Sequence, residues 1–330
     1  MLVRLTEKKI KLFLIGACLL SVIPYFLTCI YIQPFYDDFI FADQLANGAF
    51  EFIKSFYLNW SGRYAEEILM GLVNAKITHG SNIQYALFGV MVLITLFISL
   101  LFFLHHVFKN YFSTLDKVLI ASGIFSFYLV FMPELCTAFY WYCSSFYQVC
   151  LSVLIINFAL IINLYCEEKS NAYKSLVLLL NIFIAGFSEV TIFSIAILYG
   201  AVVGYQYVKN KKLEKFWLLL LIVFVLFAGF NIFSPGNMLR MTVSQTKGKE
   251  SFLFCSVRAI YDLVLFHGVY IFFKTPFLLF CLISTPAFFK LIRSSHPLVK
   301  IFNVHPFYSL IVTLLIFYLQ HALSLYGAGY

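Results

Sequence analysis

Apolar runs of bilayer-spanning length recur along the whole chain, at 12–32, 83–105, 118–133, 147–166, 175–187, 190–208, 216–233, 275–293 and 306–325. Inside hydrocarbon a backbone must satisfy its polar groups within its own segment, so each run predicts an α-helix. The many Phe and Ile residues would suggest strands in a soluble chain. Here they report the solvent, because 62% of the 330 residues are hydrophobic and 12% are charged, against roughly 25% charged in soluble domains. The expectation is all-α: a polytopic membrane protein with about nine transmembrane helices, forming a single transmembrane domain over 1–330. The run 175–187 is short for a crossing and predicts a broken pair with its successor around Gly186-Phe187-Ser188-Glu189. The stretch 259–274, with Asp262 and His267, predicts an interfacial or re-entrant helix.

Charge orients these helices. Arg4, Lys8, Lys9 and Lys11 precede the first run. No small-x-small cleavage site follows it, which predicts an uncleaved span with a cytoplasmic N-terminus. Alternating spans then place Lys109, Lys117, Lys169, Lys174, Lys209, Lys211, Lys212, Lys215, Lys290, Arg293 and Lys300 on that same side, as the positive-inside rule requires. The net charge of +8 is thus accounted for by topology, and no nucleic-acid partner is called for. The eight cysteines lack metal-ligand spacing. Cys136 and Cys143, if helical, are separated by roughly 10 Å of rise, too far for a disulfide. No phosphate-binding glycine loop, dinucleotide fingerprint, HExxH or Gly-x-Ser-x-Gly occurs, which leaves soluble nucleotide donors and serine hydrolysis without support.

The outer side collects the unusual polar residues. The first outer loop, 33–82, opens with Tyr36-Asp37-Asp38-Phe39 and continues through Asp43, Trp60-Ser61-Gly62-Arg63-Tyr64, Glu66, Glu67 and His79. Short interfacial helices are expected at 39–46, 50–58 and 64–75, broken at Asn47-Gly48 and Ser61-Gly62. A second outer segment runs from Pro133-Glu134 to Tyr142, and a third is the turn Ser188-Glu189. A fourth, 234–258, opens with Ser234-Pro235-Gly236-Asn237 and includes Arg240. These four segments are expected to converge over one cavity. A carboxylate pair and arginines on one side of a bilayer suit a phosphate-bearing substrate.

Each feature also has a structural reading. Asp37 and Asp38 precede a helix, where carboxylates cap orphan N–H groups. Trp60 and the run Phe139–Tyr142 have the composition of an interfacial aromatic belt, with a sugar platform as the alternative. Arg63 has Glu66 and Glu67 at helical spacing. Glu189, flanked by Phe187, Val190, Ile192 and Phe193, is costly at membrane depth without a partner. Arg63 and Arg240 are the expected partners, with direct substrate contact the other reading.

A first span, an outer loop opening with Asp37-Asp38, the Trp60-x-x-Arg63 element, and Pro235-Gly236-Asn237 with Arg240 nearby together resemble the GT-C superfamily of bacterial multi-pass glycosyltransferases. Within it the chain is most similar to O-antigen-modifying glucosyltransferases and their uncharacterised relatives. The resemblance spans about 12–240. It implies a bacterial inner-membrane enzyme that takes a sugar, glucose in the named subgroup, from a polyprenyl-phosphate donor. The acceptor is a surface glycan such as the O-antigen of lipopolysaccharide, met on the periplasmic or extracellular face. It also implies that Asp37 or Asp38 is the general base, and that Arg63 and Arg240 hold the leaving phosphate. Trp60, Glu134, Glu189 and Asn237 complete the expected substrate contacts. Some members use a divalent metal, Mg or Mn, for which the Asp pair with Glu134 or Glu189 would be the ligands. The family usually carries more sequence after its middle spans. The ending Tyr326-Gly327-Ala328-Gly329-Tyr330 reads as the start of an outer loop, and a truncated or inactive form is one expectation.

The rival class is a transporter or flippase for a lipid-linked sugar or another anion, which also calls for outer arginines and a membrane-depth glutamate. Transporters usually repeat a helix break in both halves, and only one candidate break is visible here, near Gly186–Glu189.

Overall fold

The computed structural model describes residues 2–77, 82–132, 135–212, 214–245 and 252–262, with a few isolated positions beyond. The expected spans at 275–293 and 306–325 lie outside the described residues, as do Glu134, His79 and His267. The described secondary structure is helical. Among the described residues, six helices are long and apolar enough to cross a membrane, as a multi-pass membrane protein requires. They are α1 (Leu2–Thr28), α5 (Asn82–Val107), α6 (Thr114–Phe131), α7 (Tyr142–Cys166), α9 (Glu189–Asn210) and α10 (Lys215–Ile232). Phe13, Leu20, Leu87 and Leu226 are each more than 60% exposed, which suits side chains solvated by lipid rather than water.

Three short helices fill the first outer loop: α2 (Asp37–Leu45), α3 (Ala49–Asn59) and α4 (Tyr64–Ile77). Their breaks fall at Asn47-Gly48 and Ser61-Gly62, the residues whose turn chemistry predicts them. Gly48 takes a positive φ of 102°, a conformation open to glycine at little cost. The second outer segment forms a π-helical turn, Cys136–Tyr140, leading into α7. Its aromatic run is a correction to the belt expectation: Phe139 and Tyr142 are each 1% exposed and belong to the core. Their alternation with polar residues is weak, so no periodicity marks them as inward-facing.

The chain divides into two compact units, residues 1–56 with 64–184, and residues 57–63 with 185–330. In the first, α1 packs on α6 and α5 packs along α7, around Val92, Leu93, Leu96, Phe125 and Leu129. Polar pairs stitch these helices. Ser21 meets Ser126 at 2.5 Å, the Tyr128 hydroxyl donates to Gln148 at 3.0 Å, and Asn157 on α7 donates to Asn181 at 3.5 Å. Asn181 belongs to α8 (Asn171–Ile184). At one end, Lys11 pairs with Asp116 at 2.7 Å, and Lys109 with Glu167 at 2.8 Å. Lys109 and then Lys169 hold the Glu167 carboxyl down at about 2.

The second unit is built on α9 and α10, where Tyr199 meets Phe224 edge-on at 5.3 Å. Tyr57 stacks on Phe230 at 5.0 Å and donates to its carbonyl at 3.0 Å. Two further helices follow, α11 (Pro235–Gln245) and α12 (Phe252–Tyr261). On α12, Cys255 and Ala259 are buried while Leu253, Val257 and Ile260 are exposed. That helix begins seven residues before the expected 259, because its buried face is made of small side chains rather than a hydrophobic stripe.

The expected break between 175–187 and 190–208 is present. α8 has 14 residues and rises about 21 Å, short of a bilayer core of roughly 30 Å. It stops at Ile184, and α9 begins at Glu189.

Candidate functional site

Ala185, Gly186, Phe187 and Ser188 run without helix between α8 and α9, and all are buried. Non-helical backbone at that burial needs donors from elsewhere. Asn231, fully buried at the end of α10, supplies them: its Nδ2 donates to the carbonyl of Ala185 at 3.1 Å and to that of Phe187 at 2.7 Å. The Asn231 carbonyl in turn accepts from Asn237 Nδ2 at 2.9 Å.

Asn237 lies in the first turn of α11. Ser234 caps that helix, its Oγ accepting from the Asn237 N–H at 3.2 Å, and Pro235 occupies the first helical position, where its missing N–H costs nothing. Ser234-Pro235-Gly236-Asn237 is therefore a helix start rather than a bare turn. The stretch Trp60–Arg63 interlocks with it through two glycines. A Cβ on Gly62 would lie 2.0 Å from the Asn231 carbonyl oxygen and 2.4 Å from Ser234 Oγ. A Cβ on Gly236 would lie 2.6 Å from the backbone nitrogens of both Trp60 and Ser61. Only hydrogen fits at either position, and that closeness fixes where Arg63 and Arg240 emerge.

Both arginines converge on Glu189. Arg63 donates through Nε at 3.1 Å and Nη2 at 2.9 Å to one carboxylate oxygen. Arg240 donates through Nη2 at 3.0 Å to the other, and shares that nitrogen with Asn237 Oδ1 at 3.2 Å. Among the described residues, the Nε and Nη1 groups of Arg240 have no partner. Burial raises the Glu189 carboxyl, but Arg63, the N–H at the start of α9 and Arg240 together pull it below the ordinary glutamate value. Two guanidinium groups thus face one carboxylate. Such a set can grip one anionic group bidentately. Trp60, 56% exposed, belongs to the same unit.

The carboxylates of the first outer loop belong to the other unit, and the two adjacent side chains differ sharply. Asp38 is 1% exposed. Its Oδ2 accepts from the Phe35 N–H at 2.8 Å, and its Oδ1 from the N–H and thiol of Cys143 at 3.2 and 2.8 Å. Burial raises the Asp38 carboxyl against these hydrogen bonds, and the charge of Asp37 adds to the rise. Asp37 is partly exposed, and no hydrogen bond engages it among the described residues. Tyr36, just before it, holds φ 37° and ψ −93°, a strained backbone for a residue with a Cβ.

Of the sequence candidates, Trp60, Arg63, Glu189, Asn237 and Arg240 thus share one unit, Asp37 and Asp38 share the other, and Glu134 lies outside the described residues. Sequence reasoning passed over Asn231, took Gly62, Ser234 and Gly236 only as turn residues, and weighed Cys143 only for a disulfide. Asn231 carried a signal, a carboxamide at the end of a hydrophobic run. Cys143 carried none. Among the described residues no three His, Cys, Asp or Glu side chains come together as a metal would need. Asp38 and Glu189 already spend their oxygens on donors, so these residues do not fit a divalent ion. No known protein family, curated protein or solved structure matches this chain.

Proposed function

We propose that the chain is a membrane glycosyltransferase of GT-C type, moving a hexose such as glucose from a polyprenyl-phosphate donor to a surface glycan such as O-antigen. The acceptor would be met on the outer face of a bacterial inner membrane. The observation that carries this reading is the pairing of Arg63 and Arg240 on Glu189. Guanidinium groups suit the phosphodiester of a lipid-linked sugar, and among the described residues no hydrogen bond engages Nε or Nη1 of Arg240. In the reaction, a carboxylate of the Asp37-Asp38 pair takes the proton of an acceptor hydroxyl. The freed oxygen bonds to the anomeric carbon, and the carbon–oxygen bond to phosphate breaks with its electron pair leaving on the lipid phosphate. Arg63 and Arg240 stabilise that leaving charge, and the carboxylate returns its proton to water. A carboxylate of ordinary basicity suffices, because proton transfer runs late and the hydroxyl is held in place.

Polysaccharide mass spectrometry tests this in a host that supplies the lipid-linked donor. Wild-type chain should add one hexose per repeat, and Asp37→Ala/Asp38→Ala at equal membrane levels should add none. Equal modification by both would refute it. A transporter or flippase for a lipid-linked sugar is the second reading, favoured by the helix break at Ala185–Ser188.

A further inference from the structure

We infer that Asp38 is a positioning residue, a latch that fixes the first outer loop to the start of α7 and so aims Asp37, which is the base. The inference rests on the transferase reading. Three observations converge on it.

Asp38 occupies the N-terminus of a helix to which it does not belong. The first N–H groups of α7 lack intrahelical acceptors, and the carboxylate takes one of them, Cys143 N–H, together with the Cys143 thiol. The positive end of the helix dipole favours a carboxylate there. Its second oxygen simultaneously closes the turn that starts α2, by accepting from Phe35 N–H, while the Asp38 N–H donates to the Phe35 carbonyl at 2.9 Å. One side chain therefore ties two segments more than a hundred positions apart in the chain.

The turn so closed contains the strain. Tyr36 is 70% exposed, so no packing of its side chain compensates its positive φ. The bonds of Asp38 on one side, and the Phe39 N–H to Tyr36 carbonyl bond at 3.2 Å on the other, hold it. Strain of this kind persists where the surroundings over-determine the backbone, and it clusters at reacting groups.

The two carboxylates also differ in what they can still do. Both oxygens of Asp38 are engaged and it is 1% exposed. It cannot meet an acceptor hydroxyl without abandoning α7. Asp37, held between the strained Tyr36 and Asp38, is partly exposed.

The test separates the two residues by a readout that does not need catalysis. N-ethylmaleimide labelling of Cys143, followed by peptide mass spectrometry on the full chain in membranes, reports whether the latch is closed, since Cys143 is 9% exposed. Asp38→Ala should speed that labelling by about tenfold or more, as the loop opens locally. Asp37→Asn should leave labelling unchanged, yet cut hexose transfer by about a hundredfold or more, the usual loss with a general base. Asp38→Asn keeps one oxygen for the Cys143 N–H. It should retain about a tenth of wild-type transfer, a rescue that a base at that position would not permit. If Asp38→Asn is as inactive as Asp37→Asn with Cys143 still protected, Asp38 does the chemistry and the inference is wrong. Unchanged Cys143 labelling in Asp38→Ala overturns it equally. A wild-type chain that transfers no hexose would overturn the transferase reading instead, while the labelling comparison would still read the latch.

Discussion

Replacing Glu189 with Gln removes the charge on which Arg63 and Arg240 converge, and the cost can be bracketed. Exposed ion pairs contribute about 0–1 kcal/mol, whereas breaking a buried pair costs about 3–5 kcal/mol. The Glu189 side chain is 25% exposed, Arg63 23% and Arg240 37%, so solvent screens the Arg240 contact appreciably. The amide still accepts from one guanidinium. A loss of about 2 kcal/mol follows, or about 3 °C in Tm for a chain of this size. The assay is thermal unfolding of wild type and Glu189→Gln, purified in detergent, over a pH series. Because the folded carboxyl lies below its unfolded value, its contribution is fully present above the unfolded pKa. It is lost as pH falls through the folded one. The Tm gap should therefore be constant near neutrality and close on acidification below the ordinary glutamate value of 4.5. Equal Tm values at pH 7, or a gap that widens in acid, would refute the ion-pair account.

Gly62→Ala should lower Tm by about 3 °C, since overpacking costs about 1–3 kcal/mol and its Cβ would meet the Asn231 carbonyl oxygen; an unshifted melt would mean that this approach is not close in solution. Asn231→Ala should cost about 2–4 kcal/mol by orphaning the buried carbonyls of Ala185 and Phe187, seen as lost expression or a lower Tm, and a neutral result would show that other donors reach the break. Tyr36→Gly should raise Tm by about 2 °C, because glycine accepts the positive φ that costs a tyrosine about 1–2 kcal/mol, while hexose transfer falls as the turn relaxes. A lower Tm would place the strain elsewhere.

Hydropathy alone carried most of the fold. In lipid the helix is forced by backbone satisfaction, so α1, α5, α6, α7, α9 and α10 follow from run length. The turn residues Asn47-Gly48 and Ser61-Gly62 divided the first outer loop correctly. The convergence of Arg63 and Arg240 on Glu189 was legible for a related reason: a carboxylate among Phe187, Ile192 and Phe193 must find a cation. What lay beyond reach depends on three-dimensional closeness. Nothing in the spacing of Gly62 and Gly236 says that one faces a carbonyl and the other a backbone nitrogen. Nor does Asp37-Asp38 reveal which carboxylate turns inward, since adjacent residues at a helix start diverge and the inward choice is set by Cys143, far along the chain. The Phe139–Tyr142 run was misjudged because aromatic residues near a span end suit both the headgroup layer and a core.

The measurement that bears most directly on the proposed chemistry uses purified chain in proteoliposomes with a radiolabelled polyprenyl-phosphate hexose and a glycan acceptor. Label should pass to the glycan with equimolar release of polyprenyl phosphate, and Arg240→Ala should slow both together. Label that stays on the lipid and crosses to the other leaflet would contradict the transferase account and establish a flippase.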